Sequence, residues 1–186
     1  AHEAVARVNQ GPGGGRFEAH AGARTTYRVL NAKWSEIYSS DNPHEWSKTT
    51  VRRMGSRGAL LASEAPGAAL IMTRGSAAVL TRLQQRLRGE RPDLSAEYLN
   101  RAVLDQAHYA LEAYRVAAGL PPPHGAREYQ PSTGLVALAV MARMCRRITL
   151  YGFSMKSCRS ERACGGRVHY FDGYIDSKVD PYTICP

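Results

Sequence analysis

Hydrophobic and polar positions along the 186 residues alternate between two periods. Val5 to Pro12 repeats every two residues, as a strand does, and then breaks into Gly13-Gly14-Gly15. Thr26 to Leu30 gives a second strand signal, and two short apolar runs, Ala59 to Ala62 and Ala69 to Thr73, read as further strands. Asp41-Asn42-Pro43-His44 is a loop. Ala77 to Arg88 is predicted to be a helix, with Leu80, Leu83 and Leu87 at helical spacing and charged residues between them. A second helix is predicted from about Ser95, as its N-cap, to Ala118, closed by Gly119 and Pro121-Pro122-Pro123.

The clearest pattern begins at Pro131. Pro131-Ser132-Thr133-Gly134 supplies two hydroxyl residues able to cap a helix, and Leu135 to Arg147 follows with Leu135, Leu138, Met141 and Met144 or Cys145 at helical spacing. Ile148, Leu150 and Tyr151 then read as a short buried strand that stops at Gly152. An apolar helix running into an apolar strand predicts a layered α/β domain, here one domain over 1–186 with a mainly parallel sheet flanked by helices. A Ser-Thr-Gly turn at a helix N-terminus has free backbone N–H groups and the positive end of the helix dipole, which favour an anion. The same residues also suit an ordinary cap on a core helix.

Charge narrows the partners. The chain carries 25 Lys and Arg against 16 Asp and Glu, a formal net charge of +9. That balance favours nucleic acid, an anionic membrane surface or a phosphate-bearing small molecule. Arg52-Arg53, the run from Arg82 to Arg91, and Arg146-Arg147 form local basic patches, which a solvated face would also explain. No interleaved aromatic and basic motif of the usual nucleic-acid folds accompanies them, so no nucleic-acid partner is expected. The helix after Gly134 is too short to span a bilayer, and no cleavable leader is visible.

Several residues could carry chemistry. Asn9, at the end of the first strand beside a Gly-Pro turn, places an amide at a sheet edge where it can bind a ligand or satisfy its own turn. His169 stands in His169-Tyr170-Phe171-Asp172, among aromatic residues that also suit a packed histidine. Cys158, Cys164 and Cys185 cluster near the end, compatible with a disulfide or with a zinc site that includes His169, although their spacing fits no ordinary zinc pattern. His108, Tyr109 and Tyr114 on the second helix read as packing or surface residues.

Taken in order, these segments resemble the eukaryotic sialyltransferase family, glycosyltransferase family 29. Pro131 to Gly134, the apolar helix, Cys145 and Tyr151-Gly152-Phe153 are similar to its S-motif. Arg7, Asn9, Pro12, Phe17, Glu18, Gly22, Arg24, Thr25 and Thr26 match the second half of its L-motif, with a glycine-rich insertion and His20 as departures. His169 to Asp172 matches its short third motif. The resemblance implies a Rossmann-like domain of variant GT-A type. It implies transfer of sialic acid from CMP-sialic acid to a glycan hydroxyl, with inversion and without a metal or other cofactor. The nucleotide is then expected at Asn9, Ser132, Thr133, Gly134 and Gly152, with His169 assisting departure of the CMP phosphate. The middle of the chain is the part that shapes the acceptor site in the family.

The resemblance also implies what lies elsewhere. The front half of the L-motif and the family's final His-x-x-x-Glu, which carries the proposed general base, have no counterpart in this sequence. The sequence is therefore expected to be a fragment, with a membrane anchor outside it and the intact protein a single-pass type II protein of the Golgi lumen. Cys145 is expected to bridge to a cysteine outside the sequence. The chemistry agrees on one point: many nucleotide-sugar transferases hold a divalent metal with an Asp-x-Asp pair, and no such pair occurs here. Three alternatives stay open: a related keto-sugar acid such as Kdo as donor, a catalytically silent relative that binds nucleotide or glycan, and, less favoured, a basic nucleic-acid-binding module.

Overall fold

A computed structural model describes residues 2–11, 13–40, 59–120 and 130–151. Four strands, β1 (Ala6–Val8), β2 (Tyr27–Leu30), β3 (Ala69–Met72) and β4 (Ser95–Tyr98), form one parallel sheet in the order β1-β2-β3-β4. A 3-10 turn at Gly15–Phe17 and the short helix α1 (Glu18–Ala21) connect the first two strands. The other helices are α2 (Ala32–Ser39), α3 (Ala59–Ala62), α4 (Ala77–Glu90), α5 (Arg101–Ala117) and α6 (Thr133–Met144). This is the α/β arrangement with a parallel sheet that the sequence pattern predicts, and it has the Rossmann-like form that the family resemblance implies. Among the described residues no helix is long and apolar enough to cross a membrane.

Side chains alternate across the pleat, so each face of the sheet buries its own set. Leu30, Leu70, Met72 and Ala96 share one face, since Leu30 pairs with Met72 and Leu70 with Ala96. They pack with Trp34, Ile37 and Tyr38 of α2 and with Val79, Leu83 and Leu87 of α4. Val29 points the other way and is also fully buried. On that side α6 packs against β1 and β2, burying Val136, Ala137, Val140 and Met141, and α5 packs on α6. The buried stripe of α6 is thus offset from the Leu135 and Leu138 positions that spacing singled out, which are only half-buried.

Three sequence expectations fail. Ala59–Ala62 is a helical turn and not a strand, in keeping with the helix preference of Ala-Leu-Leu-Ala. Ser95–Tyr98 is the strand β4 and not the start of a helix; its pairing with Ala69–Met72 overrides local preference, and α5 starts later, capped by Asn100. Helix α6 stops at Met144, and 145–151 forms no strand. Ile148, Leu150 and Tyr151 are exposed rather than buried, with no strand beside them among the described residues. Tyr151 instead meets His2, its hydroxyl 3.3 Å from Nε2 and the rings edge to face.

Candidate functional site

Four longer helices begin with an Asn or Ser whose side chain accepts a hydrogen bond from the first turn. Asn31 Oδ1 accepts from Trp34 N, Ser76 Oγ from Val79 N, Asn100 Oδ1 from Ala102 N and Ser132 Oγ from Leu135 N. Three of these caps lie within a few residues of the carboxyl ends of β2, β3 and β4. The fourth is brought to the same edge by Arg74, whose Nη2 donates to the Pro131 carbonyl oxygen at 2.9 Å. The carboxyl edge of the sheet therefore collects helix N-termini, each with N–H groups that the helix does not use itself.

Asn9 lies at this edge, directly after β1. It has φ 50°, the left-handed region, which Asn tolerates better than most residues. Its N–H donates to Val29 O, its own carbonyl accepts from Arg28 Nη1, and its Oδ1 accepts from Asn31 N at 3.0 Å. The amide oxygen thus ties the β1 loop to the start of α2, and the Nδ2 group is the part that remains for a ligand. Ser132 is exposed, and its hydroxyl oxygen serves as the α6 cap at 3.2 Å. Val136 N donates to Ser132 O, which leaves the N–H groups of Thr133 and Gly134 as the outward donors of the first turn. Asn9 and Ser132 to Gly134 share one edge of the sheet, and α6 packs against β1. Gly152, His169, Cys158, Cys164 and Cys185 lie outside the described residues, as does the loop at 41–44. Cys145 is a free, half-buried thiol among the described residues.

Other residues of the matched motif hold the loops in shape. Arg7, 8% exposed, donates from Nε to Thr25 Oγ1 at 2.9 Å and from Nη2 to the carbonyls of Ala21, Gly22 and Arg24. Gly13 lies against that guanidinium so closely that an added Cβ would stand 2.6 Å from Arg7 Nε. Thr26 Oγ1 accepts from Val5 N. Beneath the β1 loop, Arg28 donates to Gly11 O at 2.6 Å and pairs with Glu64 at 2.9 Å, and Glu64 accepts the Tyr38 hydroxyl at 2.5 Å. Burial pushes the Tyr38 phenol well above its usual range; the Arg28 charge opposes this, and the Glu64 charge and hydrogen bond add to it.

Beside these residues, at the carboxyl ends of β3 and β4, opens a cavity of about 470 Å³. It is lined by Thr73, Arg74, Tyr98, Leu99, Arg101, Leu104, His108 and Gln130. Gly75, at φ 142°, turns the chain after Arg74, and its carbonyl accepts the Tyr98 hydroxyl at 3.0 Å. His108, read from the sequence as a packing or surface residue, lines this cavity, and Tyr109 and Tyr114 are exposed. The sequence pattern did not single out Arg74, Tyr98 or Arg101. Their one signal is position, since each sits at or just past the end of a strand.

Open α/β sheets bind ligands outside the carboxyl ends of their strands, and helix N-termini there receive anionic groups. Fold and edge together define a Rossmann-like ligand-binding domain. Residues 1–182 match the model of glycosyltransferase family 29 (sialyltransferase), and the chain belongs to that family. Membership carries glycosyl transfer of the sialyltransferase type at the level of the family. Neither a curated protein nor a solved structure matches the chain significantly.

Proposed function

We propose that the intact protein transfers sialic acid from CMP-sialic acid to a glycan hydroxyl, with inversion and without a metal. The observation that carries this reading is the Ser132-capped start of α6, held at the carboxyl edge of the sheet in a chain of this family. The N–H groups of Thr133 and Gly134 and the dipole of α6 suit the donor phosphate. Asn9 Nδ2 suits the nucleoside, and Gly152 would border it.

In the reaction the acceptor oxygen attacks the anomeric carbon, and the bond from that carbon to the phosphate oxygen breaks. The electron pair leaves with CMP, and the acceptor proton passes to a general base. His169 donates to the phosphate as charge grows there. The Golgi lumen, a membrane anchor and a disulfide at Cys145 belong to the same proposal.

The test is transfer by the intact protein with EDTA present, comparing CMP-sialic acid, CMP-Kdo and a UDP-sugar on a panel of glycans. Transfer from CMP-sialic acid supports the reading, and transfer from CMP-Kdo alone reassigns the donor. Transfer from the UDP-sugar alone, or an absolute need for metal, overturns it. CMP binding without transfer from any donor identifies a silent relative.

A further inference from the structure

The cavity between β3, β4 and α5 has a composition that separates it from the nucleotide edge. Tyr98, Leu99 and Leu104 give it apolar walls, with Tyr98 45% exposed and its ring fixed by the bond to Gly75 O. Gln130, His108, Arg74 and Arg101 add the polar groups, and none of the lining residues carries a carboxylate. Aromatic and aliphatic walls with a few placed polar groups are what a small organic ligand needs, and about 470 Å³ holds a sugar residue.

The two arginines differ. Arg101 is exposed and pairs with Asp105 at 2.8 Å, so part of its charge is already answered. Arg74 is partly desolvated, which lowers its pKa, and its hydrogen bond goes to the neutral Pro131 carbonyl. Among the described residues no carboxylate pairs with Arg74. A guanidinium in that situation is a receptor for an anion, since it offers paired donors in a fixed plane.

We propose that this cavity holds the acceptor glycan and that the acceptor residue is acidic, its carboxylate bound by Arg74. The inference rests on the transferase reading and names the substrate class for it. Gln130 lies two residues before Ser132, so a sugar in the cavity would adjoin the donor edge. The donor could supply a carboxylate too, and the experiment separates the two sources.

Binding is measured by calorimetry on the intact protein without donor, so it does not depend on turnover. The probes are a galacturonic acid disaccharide and its carboxyl-reduced neutral counterpart. The acidic disaccharide should bind about ten- to hundredfold more tightly, the scale of one hydrogen-bonded charge pair. Arg74→Gln, which removes the charge, should erase that preference, and Arg74→Lys, which keeps it, should keep part of it. Leu104→Trp, which fills the cavity and leaves the charge, should weaken both probes.

CMP and CMP-sialic acid are titrated in parallel. Equal binding of the two disaccharides, or binding of neither, overturns the inference. So does an Arg74→Gln effect on CMP-sialic acid with none on the acidic disaccharide, because Arg74 would then serve the donor. Absence of CMP binding by the unaltered protein counts against the transferase reading and leaves the disaccharide comparison to decide this one.

Discussion

At the scale of single residues, Asn9 combines a structural and a ligand-directed role that substitution can separate. Asn9→Ala loses the bond from Asn31 N and puts an ordinary side chain at φ 50°, so it should cost about 1–3 kcal/mol of stability. Asn9→Gly relieves the backbone and should be the more stable of the two variants by denaturant titration. Both lack the amide, so both should weaken CMP binding in calorimetry; wild-type affinity in Asn9→Gly would remove this side chain from the nucleotide site. His169→Ala should lower kcat about 10²- to 10³-fold with a much smaller change in donor KM, the pattern of a donor that acts in the transition state. Equal loss with a donor bearing a better leaving group would give His169 some other part. The sequence marked Asn9 and the Ser-Thr-Gly turn, because capping and turn chemistry are local. It did not mark Arg28 with Glu64, or Arg74 with Pro131, because those partners stand 36 and 57 residues apart.

At the scale of elements, the start of α6 is where fold and proposed chemistry use the same atoms. Ser132→Val removes the acceptor for Leu135 N, which should cost about 1 kcal/mol of stability, as cap losses do. It should also weaken CMP binding by about 1–3 kcal/mol if the hydroxyl also donates to the phosphate. Ser132→Gly keeps a tolerable cap at a cost of a few tenths of a kcal/mol, so any loss of CMP affinity in that variant belongs to the hydroxyl. Unchanged affinity in Ser132→Gly would make Ser132 a cap alone. The elements legible in the sequence were β1, β2, β3, α4 and the capped start of α6, where local pattern and end signals agree. Two of those misread share a cause: strand formation is decided by a neighbour. Ser95–Tyr98 finds β3 and becomes a strand in spite of its Ser and Glu, while Ile148 to Tyr151, with strand-forming residues, finds none among the described residues.

At the scale of the whole molecule, the Tyr38, Glu64 and Arg28 cluster connects α2, the turn after α3 and the loop that carries Asn9. A buried pair of this kind is costly to break from one side, so Tyr38→Phe should lose about 1–3 kcal/mol at neutral pH by leaving Glu64 short of a donor. The phenol also sets an alkaline limit. Burial, first, and the Glu64 charge hold the folded pKa well above the unfolded value of about 10. Below about pH 10 both states keep the proton and this contribution is complete. Above it the unfolded chain loses the proton while the folded chain retains it, so stability falls as pH rises, by up to about 1.4 kcal/mol per pH unit for one group. Denaturant titrations from pH 8 to pH 11.5 should therefore fall more steeply for the natural protein than for Tyr38→Phe, by about one proton's worth of slope. Parallel curves would mean that the phenol ionises freely in the folded state, and that the cluster opens to solvent without unfolding the sheet above it.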